Sequence, residues 1–296
     1  MVNEARRAIE GIYSALITPM DKNENLNRSA LRALVDAELS DGVEGFYCCG
    51  SSGEGLLLTL EERKKVLEVT LDQAAGRVPV IAHVGTLRTA DVIGLARHAK
   101  AAGAAAVSMI PPYYYKFSMP EIVDYYQAVL DAVPGLPVIL YNIPQFTGVS
   151  FNKENAGALL ENEWVAGIKH TSQDLYGLER MRAAYPDKVY FNGFDEMYLP
   201  ALTIGAASAV GTTVNLFAPT FLGLREAFGR GDLAAAGDLQ SLVNRRVETM
   251  VRAGIFSAVK YGWTLRGIDC GACRAPFAPL TEESKRLLEL LLREKN

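Results

Sequence analysis

Short apolar runs recur along the chain at 12–17, 43–49, 78–84, 104–110, 137–142, 165–169, 188–192 and 206–210. Between them the apolar positions fall at helical spacing: over 60–75, Leu60, Val66, Leu67, Val69 and Thr70 share one face and leave the charges on the other. Strands that alternate with helices need right-handed parallel crossovers, and eight such units in about 220 residues fit a closed barrel better than an open sheet. The pattern predicts an α/β fold, the (β/α)8 TIM barrel.

The helical pattern continues past the eighth run, over 216–231, 232–254, 255–267 and 281–295. The last three exceed what a barrel needs. Residues 1–231 are therefore expected to form the barrel, and 232–296 a C-terminal helical appendage packed beside it. No Pro/Ser-rich linker or change of composition separates the two, which predicts one continuous domain, and neither a low-complexity tract nor a repeat beyond the barrel's own period is present.

Composition narrows the function. With 296 residues, 49% of them hydrophobic, and a formal net charge of -4, the chain can bury a substantial core and has no basic excess for phosphate backbones, so nucleic acid is not an expected partner. No apolar run reaches the roughly 18 to 20 residues of a membrane span, and the first residues lack the apolar stretch and cleavage site of a signal peptide; a cytoplasmic protein without membrane contact is expected. Cys48, Cys49, Cys270 and Cys273 are too few for a disulfide framework. The spacing of Cys270 and Cys273 suits a metal or redox pair, but no second Cys or His pair accompanies it, and free thiols near a loop are the expected state. His83, His98 and His170 are scattered, and there is no phosphate-binding glycine motif.

In such barrels the loops after the strands converge on the active site. The strand ends carry Thr18, the turn 50-GSSGE-54, Tyr113 to Tyr115, Tyr141 and Asn142, Lys169, 193-GFDE-196 and 211-GTT-213. Lys169 ends an apolar run, 165-VAGIK-169, with no acidic neighbour before Asp174. In a partly dehydrated mouth, desolvation disfavours the ammonium and frees the amine to attack a carbonyl; the alternative is a surface lysine closing a strand. Gly50 to Gly53 can cradle a carboxylate with backbone N–H groups and the hydroxyls of Ser51 and Ser52, although Ser and Gly also fill ordinary turns. Tyr141 suits a proton relay or, equally, a core tyrosine with a wet tip. Asp195 and Glu196 suit a polyol or the N-terminus of the next helix. Strand alternation points His170 away from the barrel interior.

The motifs 50-GSSGE-54, 82-AHVG-85, 141-YNIP-144, 167-GIKHTSQDLY-176, 192-NGFDE-196, 211-GTTVN-215 and 274-RAPFAP-279 stand in the order and spacing of a known family. From about Gly11 to Leu280 the chain resembles the N-acetylneuraminate lyase branch of the pyruvate-dependent class I aldolases, whose superfamily includes dihydrodipicolinate synthase. The resemblance implies a Schiff base between Lys169 and the C2 carbonyl of pyruvate or a 2-oxo acid. It implies that Tyr141 transfers the proton of the C4 hydroxyl, helped by Ser51 and by Tyr114 from a neighbouring subunit in a homotetramer. Ser51 and Ser52 would hold the carboxylate, and Thr171, Gly193, Asp195, Glu196 and Thr212 the hydroxyls of a sugar-derived tail. Substrate and product would be sialic acid and pyruvate, with no cofactor and no metal, because the protonated imine is itself the electron sink.

Two places choose the branch. The synthases carry an arginine two residues beyond the proline of YN-x-P, where Phe146 stands here, and the Asp195–Glu196 pair suits a glycerol tail that a short semialdehyde would leave unpaired. The departures from the lyases are Ser52 for threonine, Thr212 for serine, Val214 for tyrosine and His170 for glutamine. Other 2-keto-3-deoxy sugar acids remain the alternative substrates, and a non-catalytic keto-acid sensor the alternative class.

Overall fold

The computed structural model describes residues 2–293, so the end of the helix expected at 281–295 lies outside the described residues. Each apolar run forms a strand: β1 (Ile12–Ser14), β2 (Gly45–Cys48), β3 (Val80–His83), β4 (Ala106–Met109), β5 (Val138–Asn142), β6 (Val165–His170), β7 (Val189–Asn192) and β8 (Ser208–Gly211). Every strand pairs in parallel with its chain neighbours and β8 closes on β1, giving the predicted barrel.

Helix α1 (Val2–Arg7) precedes the barrel. After successive strands come α2 (Arg28–Ser40), α3 (Leu60–Ala74), α4 (Thr89–Ala102), α5 (Met119–Ala132), the short pair α6 (Pro144–Thr147) and α7 (Gly157–Leu160), α8 (Leu175–Ala184), α9 (Tyr198–Thr203) and α10 (Val214–Gly229). In α3 Val66, Leu67, Val69 and Thr70 are buried as read, but the expected division of charges fails at Arg63, which is buried with them because its guanidinium donates to the His83 and Gly85 carbonyls; Thr59 with Glu62 closes the start of the helix as a capping box. The C-terminal part adds α11 (Leu233–Ala253), α12 (Ile255–Leu265) and α13 (Glu282–Arg293); α11 packs on α10, and α12 and α13 pack on α11.

Alternation within the strands divides two cores. Tyr13, Tyr47, Ile81, Ala106, Ile139, Val189, Phe191 and Val210 fill the barrel, whereas Phe46, Cys48, Val107, Leu140, Val165 and Ile168 face the helices.

One irregularity decides which way β6 presents its chemistry. Val138 pairs with Val165, but the next residue, Ile139, pairs with Gly167, so Ala166 is an extra residue in β6. Val165 faces the helices, Ala166 the barrel, and Ile168 the helices again. The bulge reverses the phase of the strand and turns Lys169 inward, level with Tyr141 and Phe191. Gly167 is required there, because a Cβ at this position would lie 1.8 Å from the Val189 carbonyl oxygen.

Candidate active site

Lys169 stands at the C-terminal end of β6 with 4% of its surface exposed. Its Nζ lies 3.7 Å from the centroid of the Tyr141 ring and 5.5 Å from that of Tyr47. It donates to Thr171 Oγ1 at 3.1 Å. Burial lowers the pKa of the amine below the ordinary lysine value, with Tyr141 and Asp195 pulling the other way. A lysine closing the strand at the surface is excluded: the amine sits inside the barrel mouth.

The turn Gly50–Gly53 follows β2 and is fixed by contacts that admit only glycine. A Cβ at Gly53 would lie 2.7 Å from the Leu16 carbonyl oxygen, and one at Gly50 would lie 2.8 Å from the Tyr47 ring. Thr18 Oγ1 donates to the Gly53 carbonyl at 2.7 Å. Ser52 and Thr212 share a hydrogen bond of 2.7 Å between their hydroxyls, tying the turn to the end of β8. Thr212 thus meets this turn and is engaged with Ser52, while Thr171 is engaged with the amine.

Gly193 lets the β7 loop lie against that threonine, since a Cβ there would sit 1.9 Å from Thr171 Oγ1. Asp195 is buried and spends Oδ2 on the Thr213 amide and hydroxyl, at 2.7 and 2.6 Å. Burial raises its carboxyl pKa to about 6, against those two hydrogen bonds. Ser51, Ser52, Tyr141, Lys169, Thr171, Gly193, Asp195, Glu196 and Thr212 all line one cavity. Tyr114 does not: it is 85% exposed, at φ 75°, and lies outside this cavity.

Several lining residues were not anticipated. Tyr47 lies beneath the amine, held by its hydroxyl donating to Ser108 at 2.9 Å and set edge-on to Tyr141. The alternation of 43-VEGFYCC-49 was the available signal. Behind the lining, His83 packs against both tyrosine rings, and burial lowers its pKa well below the usual histidine value. Val247, Val251, Ile255 and Phe256, from α11 and α12, form an apolar wall of the mouth, so the C-terminal helices do more than pack beside the barrel. No local sequence signal marks them, because only tertiary packing brings them over the strand ends.

His170 points out of the barrel as expected, beside Asn142, and neither it nor Val214 lines the cavity. All four thiols are buried and unpaired, and burial raises the pKa of Cys270 to about 12. Among the described residues, no three His, Cys, Asp or Glu side chains converge on a metal position.

The dihydrodipicolinate synthetase family model matches residues 8–295, nearly the whole chain. The chain belongs to this family. Among its relatives, the N-acetylneuraminate lyase of Rhizobium meliloti is 41% identical over 93% of this chain and 91% of its own length. Two solved structures share the fold closely. CdNal of Clostridium difficile, in complex with mannosamine, has a TM-score of 0.94 at 34% identity and covers 96% of this chain and 98% of its own. A catalytic lysine mutant of Ruminococcus gnavus sialic acid aldolase has a TM-score of 0.94 at 30% identity, covering 96% and 95%. Family membership thus agrees with the resemblance read from the strand-end motifs.

Proposed function

We propose that this chain is a class I aldolase that cleaves N-acetylneuraminate to N-acetylmannosamine and pyruvate through a Schiff base on Lys169. The deciding observation is the buried amine of Lys169, depressed in pKa by its surroundings and facing a hydroxyl-lined turn. The amine attacks the C2 carbonyl of the open-chain keto acid, and loss of water gives the iminium. Tyr141 removes the C4 hydroxyl proton, the C3–C4 bonding pair moves toward the iminium, and the aldehyde leaves. Protonation of the enamine at C3 and hydrolysis then release pyruvate and the free amine.

Ser51 and Ser52 take the carboxylate in this reading, with Thr212 steadying Ser52. Asp195 and Glu196 receive hydroxyls of the tail, Asp195 through Oδ1, since Oδ2 serves Thr213. Thr171 holds the amine and, with Gly193, borders the tail. Lys169 is the only cationic side chain among the described residues of the wall, and Phe146 is there as well. A second carboxylate on the substrate would therefore find no partner, which favours a neutral polyol tail over a semialdehyde amino acid.

The exposed Tyr114, beside the exposed Tyr115, supports a homotetramer in which Tyr114 enters a neighbour's site. No helix among the described residues is long and apolar enough to cross a membrane; a cytoplasmic location is part of the same proposal, in keeping with the four unpaired thiols. The proposed boundary between barrel and appendage lies at Gly231–Asp232, between α10 and α11.

Borohydride reduction in the presence of pyruvate, followed by peptide mass analysis, is the direct test, run beside pyruvate release from N-acetylneuraminate. An adduct on Lys169, its loss in Lys169→Met, and turnover by the unaltered protein are expected. An adduct without turnover would redirect the assignment to another 2-keto-3-deoxy sugar acid, and no adduct would overturn the mechanism.

A further inference from the structure

A buried ion pair lies directly behind the carboxylate turn. Glu54 closes 50-GSSGE-54 with φ at 55°, a left-handed conformation that a residue with a side chain adopts only when its surroundings impose it. Its amide donates to the Ser51 carbonyl at 3.1 Å, so the placement of Glu54 is transmitted to the serine. The Glu54 carboxylate lies 2.6 Å from Lys260 Nζ on α12, and the two side chains are 0% and 1% exposed. Its other oxygen accepts from the Arg274 amide at 2.6 Å, and Lys260 also donates to the Ala272 carbonyl at 2.9 Å.

A buried pair of this kind is seldom more stable than two apolar side chains of the same volume. What it adds is direction: an ammonium with two fixed acceptors holds one geometry, whereas an apolar contact can slide. Phe256, one helical turn before Lys260 on α12, lines the mouth of the same cavity. One helix therefore both walls the mouth and grips the turn from behind.

We propose that Lys260 is a positioning residue for the substrate carboxylate, fixing the Ser51–Ser52 turn through Glu54. The inference rests on the aldolase reading, because it takes that turn as the carboxylate site. Without the pair, the turn loses its fixed orientation, and affinity for pyruvate falls while the tail contacts on β6, β7 and β8 stay in place.

The test measures the pyruvate concentration that gives half-maximal borohydride trapping, and the half-saturating N-acetylmannosamine concentration in the condensation direction at saturating pyruvate. Lys260→Met strands a buried carboxylate and can fail to fold, so Lys260→Met/Glu54→Gln, which leaves no buried charge, carries the measurement after circular dichroism shows it folded. The expected result is a rise of about 10- to 100-fold in the pyruvate value, with less than about threefold change in the N-acetylmannosamine value. Partial recovery of the pyruvate value is expected in Lys260→Arg, which restores a cation at that place. An unchanged pyruvate value in the folded double variant, or equal loss toward both substrates, overturns the proposal while leaving the aldolase reading intact. Absence of trapping in the unaltered protein removes the aldolase reading, and this inference with it.

Discussion

The carboxyl group of Asp195 combines two demands. Its Oδ2 anchors the start of α10 through Thr213, and its burial against Gly211, where a Cβ would sit 2.0 Å from Oδ1, resists ionisation. Its pKa is raised from 3.8 to about 6, so between those values the unfolded chain has released a proton that the folded chain still holds. Stability contributed by the protonated group is full below pH 3.8 and is lost as pH rises through 6. Asp195→Asn lacks this titration. Melting temperatures taken from pH 4 to 7 should show unaltered protein losing ground to the variant, by up to about 3 kcal/mol. Parallel curves would show that Asp195 ionises with its ordinary pKa. Over the same range the unaltered enzyme gains the carboxylate acceptor proposed for the substrate tail.

At the level of secondary-structure elements, the bulge in β6 matters most. Simple alternation from Val165, which faces the helices, would also send Lys169 toward the helices; the extra Ala166 returns it to the barrel. Gly167 makes the bulge possible by leaving room for the Val189 carbonyl. Gly167→Ala must displace backbone rather than a flexible side chain, and a loss of about 3 kcal/mol or more is expected from denaturant unfolding. Pyruvate trapping on Lys169 should fall with it, even well below the midpoint of unfolding. Full trapping and unchanged stability would mean that β6 keeps its register without glycine.

The whole molecule raises the question of what completes the site. Tyr114 and Tyr115 are exposed and stacked edge to face, outside the cavity of their own chain. If Tyr114 serves a neighbouring site, Tyr114→Phe and Lys169→Met are complementary defects. Chains of the two variants, unfolded together in equal amounts and refolded, should regain about a quarter of full activity, because random assembly pairs an intact lysine with an intact tyrosine at that frequency. Activity no higher than the mean of the separate variants would place the relay within one chain. The C-terminal helices act at this scale too: Val247, Val251, Ile255 and Phe256 reach the mouth only because α11 and α12 fold back over the strand ends.

The barrel was legible because buried parallel strands must be short, apolar and separated by helices, and that period is written locally along the chain. Lys169 was legible for a related reason: an ammonium at the end of an apolar run is anomalous unless it is used. The glycines of 50-GSSGE-54 and 192-NGFDE-196 signalled turns at strand ends. Tertiary structure alone decided the rest. Periodicity does not reveal an extra residue in β6, because a bulge is defined by the partner strand. Nor does sequence spacing show that Lys260 meets Glu54 or that Phe256 lines the mouth, since those contacts join segments far apart in the chain. Local sequence sets the elements and their end residues; packing between distant elements sets the direction and exposure of the side chains, and with them the chemistry.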